Sequence, residues 1–365
     1  FPKQGAFPAH NLAVPRSADW DNDGDLDLVV AAAGNIYLYR NVGSRRSPLF
    51  EVHDRPLTST WGNAELPGTG AYISTQFLDW NGDGRLDVVS NYAAYLDQGK
   101  GNPGVYGEKV EVLPPGVRIS HPSHTGDDWF WPRLYDLDGD DRLDVLFGDW
   151  GGHVWFHRNL STSTQPLFDV TGYRLKTVDG RDIKVGPIGK DPNKDFSALQ
   201  GARTVFSVAD FNQDGLLDLV VGDEYGVVRY YQNAGSKADP VFFPPVVVAE
   251  TGSRGMVDAV DWNQDGLMDI LVGIASSPVR LFLNIGKSAQ PVFGPGIDLQ
   301  LPPIIEPRAI AVDLNQDGDL DLFIPSTLGS CFLERSFIEH GYAPAQMIGF
   351  EKKKDQKRPR HRRQD

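Results

Sequence analysis

A single cysteine, Cys331, excludes an internal disulfide in this 365-residue chain. What holds it together must be packing, hydrogen bonding or metal, which fits the cytosol or an exported protein alike. No run of 18 apolar residues occurs, so no segment reads as a membrane-spanning helix. No signal peptide is visible, and a start at FPKQGAF without Met reads as a processed N-terminus or a fragment. Basic charge is scarce in the body. The segment 351–365 holds eight lysines and arginines, leaving 27 basic against 46 acidic side chains in residues 1–350. Such an excess repels itself unless cations offset part of it, and it makes nucleic acid a poor partner. Apolar material is not lacking: 40% of residues are hydrophobic, with 8 Trp, 12 Tyr and 19 Phe, enough for a sizeable core and against global disorder. With 39 Gly and 26 Pro, turns should be many and long helices few.

Six segments align without gaps: DWDNDGDLD from Asp19, DWNGDGRLD from Asp79, DLDGDDRLD from Asp136, DFNQDGLLD from Asp210, DWNQDGLMD from Asp261 and DLNQDGDLD from Asp313. Their starts lie 60, 57, 74, 51 and 52 residues apart, a period that suits four-stranded propeller blades joined by loops of varying length. Each segment puts side-chain oxygens at positions 1, 3, 5 and 9, and position 7 can add its carbonyl. Six to eight such oxygens are what a hard cation such as Ca²⁺ takes. The expected ligands are Asp19, Asp21, Asp23, Asp25 and Asp27 in the first loop. Asp79, Asn81, Asp83, Arg85 and Asp87 form the second set; Asp136, Asp138, Asp140, Arg142 and Asp144 the third. Asp210, Asn212, Asp214, Leu216 and Asp218 follow in the fourth, then Asp261, Asn263, Asp265, Leu267 and Asp269, and finally Asp313, Asn315, Asp317, Asp319 and Asp321. Among these, Asp25, Arg85, Arg142, Leu216, Leu267 and Asp319 would contribute carbonyls. Position 6 is Gly in five loops and Asp141 in the third, as a sharp turn with positive φ requires.

An EF-hand would need an acidic residue at position 12 and flanking helices. Position 12 is Val30, Ser90, Phe147, Val221, Val272 or Ile324, and the flanks read as β-branched strands such as DLVVAAAG and DILVGIA. A second, aromatic-rich strand follows in each repeat, as in NIYLYRNVG and HVWFHRNLS. A PLF or PVF element, at residues 48–50, 166–168, 240–242 and 291–293, is expected to begin an outermost strand. Residues ahead of each loop form the innermost strand. Aromatics at position 2 (Trp20, Trp80, Phe211, Trp262) read as core.

These motifs resemble the FG-GAP/VCBS repeat family over roughly residues 12–345. The resemblance implies an all-β propeller of six blades, or seven if both termini combine, with up to six Ca²⁺ ions. Residues 1–350 would form a single domain with blades starting near 12, 70, 128, 201, 253 and 305, followed by a basic, disordered tail at 351–365. It also implies cation loops on one face, with the turns between second and third strands around a channel mouth on the other. Members include integrin-type propellers, fungal lectins and domains acting on polysaccharides, so the ligand is not fixed by the family.

Five arginines lie at odd offsets before the loops: Arg16 and Arg133 three back, Arg308 five back, Arg203 and Arg254 seven back. Odd offsets share a strand face, so they could line the channel and take a carboxylate, sulfate or phosphate. Alternatively, each pairs with an acid such as Asp258 and ties blades together. Trp129 and Trp150 accompany them as candidate sugar-stacking residues, with Tyr72, Tyr92, Tyr95 and Tyr225 in comparable places. The reading is a secreted or cell-surface, monomeric propeller binding an anionic carbohydrate. A polysaccharide lyase or glycoside hydrolase, with His124, Arg133 and Tyr72 as candidate catalytic groups, and a protein-binding propeller of a larger surface protein are the alternatives. His121, His124 and Asp127 would also allow a Zn²⁺ site.

Overall fold

The computed structural model describes residues 14–21, 23–32, 35–52, 75–90, 93–98, 106–111, 131–162, 166–169, 171–186, 202–275, 279–299, 309–324, 331–333, 335 and 350–351. These residues build an all-β propeller without helices. The first sheet runs β1 (Val14–Ala18), β2 (Asp27–Ala32), β3 (Asn35–Asn41), β4 (Phe50–Val52); the second β5 (Thr75–Leu78), β6 (Asp87–Ser90), β7 (Ala93–Asp97), β8 (Tyr106–Glu111). The third comprises β9 (Trp131–Tyr135), β10 (Asp144–Gly148), β11 (Val154–His157) and β12 (Tyr173–Arg174), and the fourth β13 (Val205–Ala209), β14 (Asp218–Gly222), β15 (Val227–Tyr231) and β16 (Val246–Glu250). In the fifth are β17 (Gly255–Val260), β18 (Asp269–Ile274), β19 (Arg280–Phe282) and β20 (Ile297–Asp298), and in the sixth β21 (Ile310–Val312), β22 (Asp321–Ile324) and β23 (Cys331–Leu333). Five sheets are thus blades of three or four antiparallel strands. The first has five strands, because β24 (Phe350–Glu351) adds in parallel to the outer edge of β4. Among the described residues the termini therefore extend the first sheet and form no seventh.

Strand boundaries follow the repeat closely. Every innermost strand stops at the residue before position 1, and every second strand starts on the position-9 aspartate. The second strands of sheets three to six are buried along their whole length. Both faces of these strands are covered by neighbouring sheets, which is why they read as continuous apolar runs instead of alternating ones. Outer strands face solvent: β16 leaves Val246 and Val247 exposed.

The core lies between sheets. Trp80, Val89 and Ala94 pack with Leu134, Val145 and Phe147 between the second and third sheets. Leu146 and Phe156 meet Phe206 and Leu219 between third and fourth. Phe211 and Val220 meet Ile270 and Val272, then Trp262 and Leu271 meet Leu322 and Ile324. Leu28, Val30, Tyr39 and Phe50 pack on Ile310, Val312, Leu314 and Phe323, so the sixth sheet returns to the first. Trp20 meets Phe77 edge-on at 5.2 Å between first and second. Each fully buried Val, Leu, Ile or Phe in these layers contributes about 1.5–3 kcal/mol. Two glycines let strand ends reach the next sheet: a Cβ on Gly148 would strike Thr204 O, and one on Gly222 would strike Gly255 O.

The PVF element corrects one expectation. Only in the first sheet does it lead straight into the outer strand, β4. In the third, fourth and fifth sheets, Phe168, Phe242 and Phe293 bridge back to Asn159, Asn233 and Asn284, and the outer strand begins four or more residues later. In the first, third and fifth sheets alike an asparagine at or just past the end of the third strand holds the element down, its Oδ1 accepting Leu49 N (3.0 Å), Leu167 N (3.2 Å) and Val292 N (3.1 Å), so this bond fixes the element without deciding where the outer strand begins. The surplus between third and fourth repeats is an arm. Lys176 bridges Asp182, and Thr177 runs beside Phe242, joining the third sheet to the fourth.

Candidate cation loops and channel-mouth site

Each repeat loop is a turn wound on its own carboxylates. The position-1 aspartate accepts two amides, as with Asp79, whose Oδ1 takes Asp83 N (2.9 Å) and Oδ2 takes Gly84 N (2.8 Å). The position-5 aspartate accepts the amide of position 7, for example Leu216 N on Asp214 Oδ1 at 2.8 Å. Position 6 has positive φ as expected, including Asp141 at 65°. Position 4 is equally left-handed, at Gly82, Gly139, Gln213, Gln264 and Gln316, a feature the motif did not announce. Those glutamines reach the next loop: Gln213 Nε2 donates to Gly266 O (2.6 Å), Gln264 to Gly318 O, and Gln316 to Gly24 O (3.2 Å).

Position 9 is a structural clamp. Asp27 Oδ2 accepts Trp20 N (3.0 Å) and its Oδ1 accepts Asn41 N (2.7 Å), pinning loop and third strand to one fully buried carboxylate. Asp87, Asp144, Asp218 and Asp269 repeat both bonds. In the sixth loop Asp321 Oδ1 takes Arg335 N at 3.0 Å. Desolvation outweighs these bonds and raises the carboxyls, to about 6 for Asp27 and Asp218 and about 7 for Asp144.

Do the loops fit a cation? Carboxylate oxygens of Asp19, Asp21 and Asp23 converge within 4.8 Å of one another, as do those of Asp136, Asp138 and Asp144. Asp19 Oδ1 and Asp138 Oδ1 are buried without an aligned hydrogen bond. Buried anionic oxygens facing each other are costly unless a positive charge sits among them. All donors are hard oxygens. The residues present fit a divalent ion of the Ca²⁺ type, which would be held by the side chains at positions 1, 3, 5 and 9 and the carbonyl at 7.

The other end of the strands carries a different assembly. The turn 149–152 joins β10 to β11. Asp149 fixes it, its Oδ1 accepting His153 N (2.8 Å) and its Oδ2 meeting Trp155 Nε1 (2.9 Å) and His153 Nδ1 (3.1 Å). In the next sheet Asp223 plays the same part, accepting Val227 N at 3.0 Å and Arg229 Nη1 at 2.6 Å. These two turns present Trp150 and Glu224. Arg203 Nη1 lies 3.3 Å from Glu224 Oε2, and Arg254 Nη1 lies 3.6 Å from the same oxygen. The Arg203 guanidinium also stacks over Trp150, 5.3 Å from its ring centre. Both arginines are buried, Tyr225 beside them is exposed, and Arg203 has a positive φ of 48°. Strain of this kind at a non-glycine residue persists only where surrounding contacts impose it.

Of the residues nominated by sequence, Arg203, Arg254 and Trp150 are therefore brought together. Glu224 was missed, since nothing in the repeat marks it. Arg16 and Arg133 sit lower on their strands. Burial, then Arg133, lowers the Arg16 guanidinium to about 10, while Asp258 opposes this. Asp258 acts on Arg16 through its charge and accepts Ser207 Oγ at 3.4 Å, whereas Arg203 and Arg254 meet Glu224. Tyr95 is core, as are Trp20, Trp80, Phe211 and Trp262. Arg308, Trp129, Tyr72, Tyr92, His121, His124 and Asp127 lie outside the described residues. Asn159, which opens an Asn-Leu-Ser triplet of the glycosylation type, is buried, its Nδ2 donating to Leu143 O at 3.2 Å.

The model of the FG-GAP-like repeat matches residues 19–90, 210–272 and 261–324, just over half of the chain. The chain belongs to the FG-GAP-like repeat family. The matched segments start on the first aspartate of loops one, four, five, so the family's own repeat begins with the turn described above. No curated protein matches significantly. Similar solved structures include an Agrocybe aegerita lectin described as recognising non-reducing terminal N-acetylglucosamine, at 19% identity and TM-score 0.48, covering 86% of this chain and 74% of that one. A Photorhabdus luminescens Tc holotoxin pore is similar at 16% identity and TM-score 0.44, covering 88% of this chain and 14% of that chain. A complex of BBS1N with ARL6DN gives 13% identity and TM-score 0.46, covering 92% and 96% respectively. As an FG-GAP-like propeller the chain has no helix, among the described residues, long and apolar enough to cross a membrane.

Proposed function

We propose that this chain is a secreted or surface-exposed, monomeric propeller of six blades, stiffened by Ca²⁺ in its repeat loops, that binds an anionic carbohydrate at the channel mouth. One observation carries the ligand reading: two nearly buried guanidiniums share the single carboxylate of Glu224 beside the indole of Trp150. Guanidiniums bond carboxylates and sulfates in bidentate fashion, and here two of them stand together inside an otherwise acidic body. An exposed Tyr225 adds a stacking surface for a sugar ring. The loops support the cation reading through their all-oxygen donors.

Calorimetric titration with oligogalacturonate and with a neutral oligosaccharide of equal length tests this. The charged glycan should bind, and Arg203→Ala or Trp150→Ala should each weaken it by about 1–3 kcal/mol. Equal affinity for both glycans, or unchanged affinity in both variants, would refute the site. Ultraviolet absorbance from unsaturated product during the same incubation would move the assignment to a lyase.

A further inference from the structure

Six copies of one loop supply their own controls. At position 3, loops two, four, five and six carry Asn81, Asn212, Asn263 and Asn315. Each Nδ2 donates to the outer oxygen of the position-5 aspartate, at 2.8 to 3.0 Å. Loops one and three carry Asp21 and Asp138, which have no N–H to give and add a negative charge.

In those two repeats alone, an arginine precedes the residue whose amide clamps the position-9 carboxylate: Arg40 before Asn41 and Arg158 before Asn159. The corresponding residues elsewhere are Leu96, Gln232, Leu283 and Glu334. Arg40 Nε lies 3.0 Å from Asp21 Oδ2, and Arg158 Nε lies 2.7 Å from Asp138 Oδ2. Both carboxylates are nearly sealed, at 1% and 5% side-chain exposure. In the first loop the extra Asp25 is likewise met by Arg45 at 3.3 Å, and in the sixth the extra Asp319 by Arg335 at 4.0 Å.

We propose that Arg40 and Arg158 are tethered counter-cations that set the ion preference of loops one and three. Each takes one oxygen of its position-3 aspartate. That leaves the carboxylate to offer a single oxygen, as asparagine does in the other four loops, and holds the loop at the charge a divalent ion satisfies. This rests on the cation reading of the loops. Without the arginine, the position-3 carboxylate would lose its counter-charge and add to the repulsion among the loop's acids, Arg142 meeting only Asp140 in loop three. The empty loop would repel itself, and the filled one would attract highly charged ions more strongly. An arginine that only braces the loop predicts the reverse, a weaker site.

The test uses the full chain, stripped by chelator and titrated with Ca²⁺ and with Tb³⁺. In Arg158→Ala one site should gain affinity for Ca²⁺ on the order of tenfold and gain more for Tb³⁺, while the ion-free protein melts lower. Adding Asp138→Asn to that variant should return both properties to those of the parent. Asn263→Asp, placed where Leu283 offers no counter-charge, should raise the Tb³⁺ over Ca²⁺ preference of an otherwise intact fold. Weaker Ca²⁺ binding in Arg158→Ala, or an unchanged ion preference in Asn263→Asp, overturns the proposal. A parent chain that takes up neither ion overturns the cation reading itself, a separate and visible outcome.

Discussion

Replacing Asp218 by alanine should cost far more than replacing Asp214, the position-5 aspartate of the same loop. The carboxylate is fully buried and accepts Phe211 N at 3.2 Å, Asn233 N at 2.7 Å and the Tyr230 hydroxyl at 2.8 Å. A buried donor left without an acceptor costs about 1–3 kcal/mol. Three such donors, which share one site and do not add fully, give ~3–6 kcal/mol. Against a total stability of about 5–15 kcal/mol, that approaches unfolding. Denaturant titration in excess chelator, followed by circular dichroism, isolates this from any effect of ions. Asp214→Ala, at the exposed position 5 of the same loop, is the control. It should cost within ~1 kcal/mol in chelator while abolishing the ion-dependent part of the stability. Equal losses for the two variants in chelator would show that position 9 serves only as a ligand, and the clamp would have to be abandoned.

Acidity should act in an uncommon direction. Folded-state carboxyls near 6 for Asp27 and Asp218 and near 7 for Asp144, raised from 3.8, mean that the folded chain holds protons more tightly than the unfolded one. Their contribution is fully present below about 3.8 and is lost as pH rises through about 6 to 7. Melting temperature in chelator should therefore fall on going from mildly acid to neutral buffer, and saturating Ca²⁺ should reverse the trend. A rise towards neutral pH without metal would contradict this. Gln316→Ala should lower stability by about 0.5–1.5 kcal/mol through loss of its bond to Gly24 O; thermal melts identical to the parent would remove any fastening role for that side chain.

Much of the frame was legible because the repeat writes boundaries directly. An aspartate that must turn into the core at position 9 also starts a strand, so β2, β6, β10, β14, β18 and β22 all begin there. Burial of those strands followed from runs such as DLVVG. What sequence could not supply was anything depending on register between strands. The second bond to Asp27 comes from Asn41, 14 residues on, and only the pairing of β2 with β3 brings it there. Glu224 meets Arg203 and Arg254 because two neighbouring sheets carry their turns to one place. The PVF element looked like a strand start because Pro and aromatics suit an edge, yet in three sheets its Phe meets the asparagine only as an isolated bridge and the outer strand starts later. Left-handed glutamines at position 4 were invisible because Gln carries no turn signature, unlike the glycines that replace it in loops two and three.

One junction in the ring is closed by both ends of the chain. The sixth sheet meets the first through Ile310, Val312, Leu314 and Phe323 on Leu28, Val30, Tyr39 and Phe50, and through Gln316 on Gly24, while the chain that leaves the sixth sheet returns to lay β24 along the outer edge of the first. The last strand thus works as a latch, and cutting the chain ahead of Phe350 would leave the seam to a handful of aliphatic and aromatic side chains.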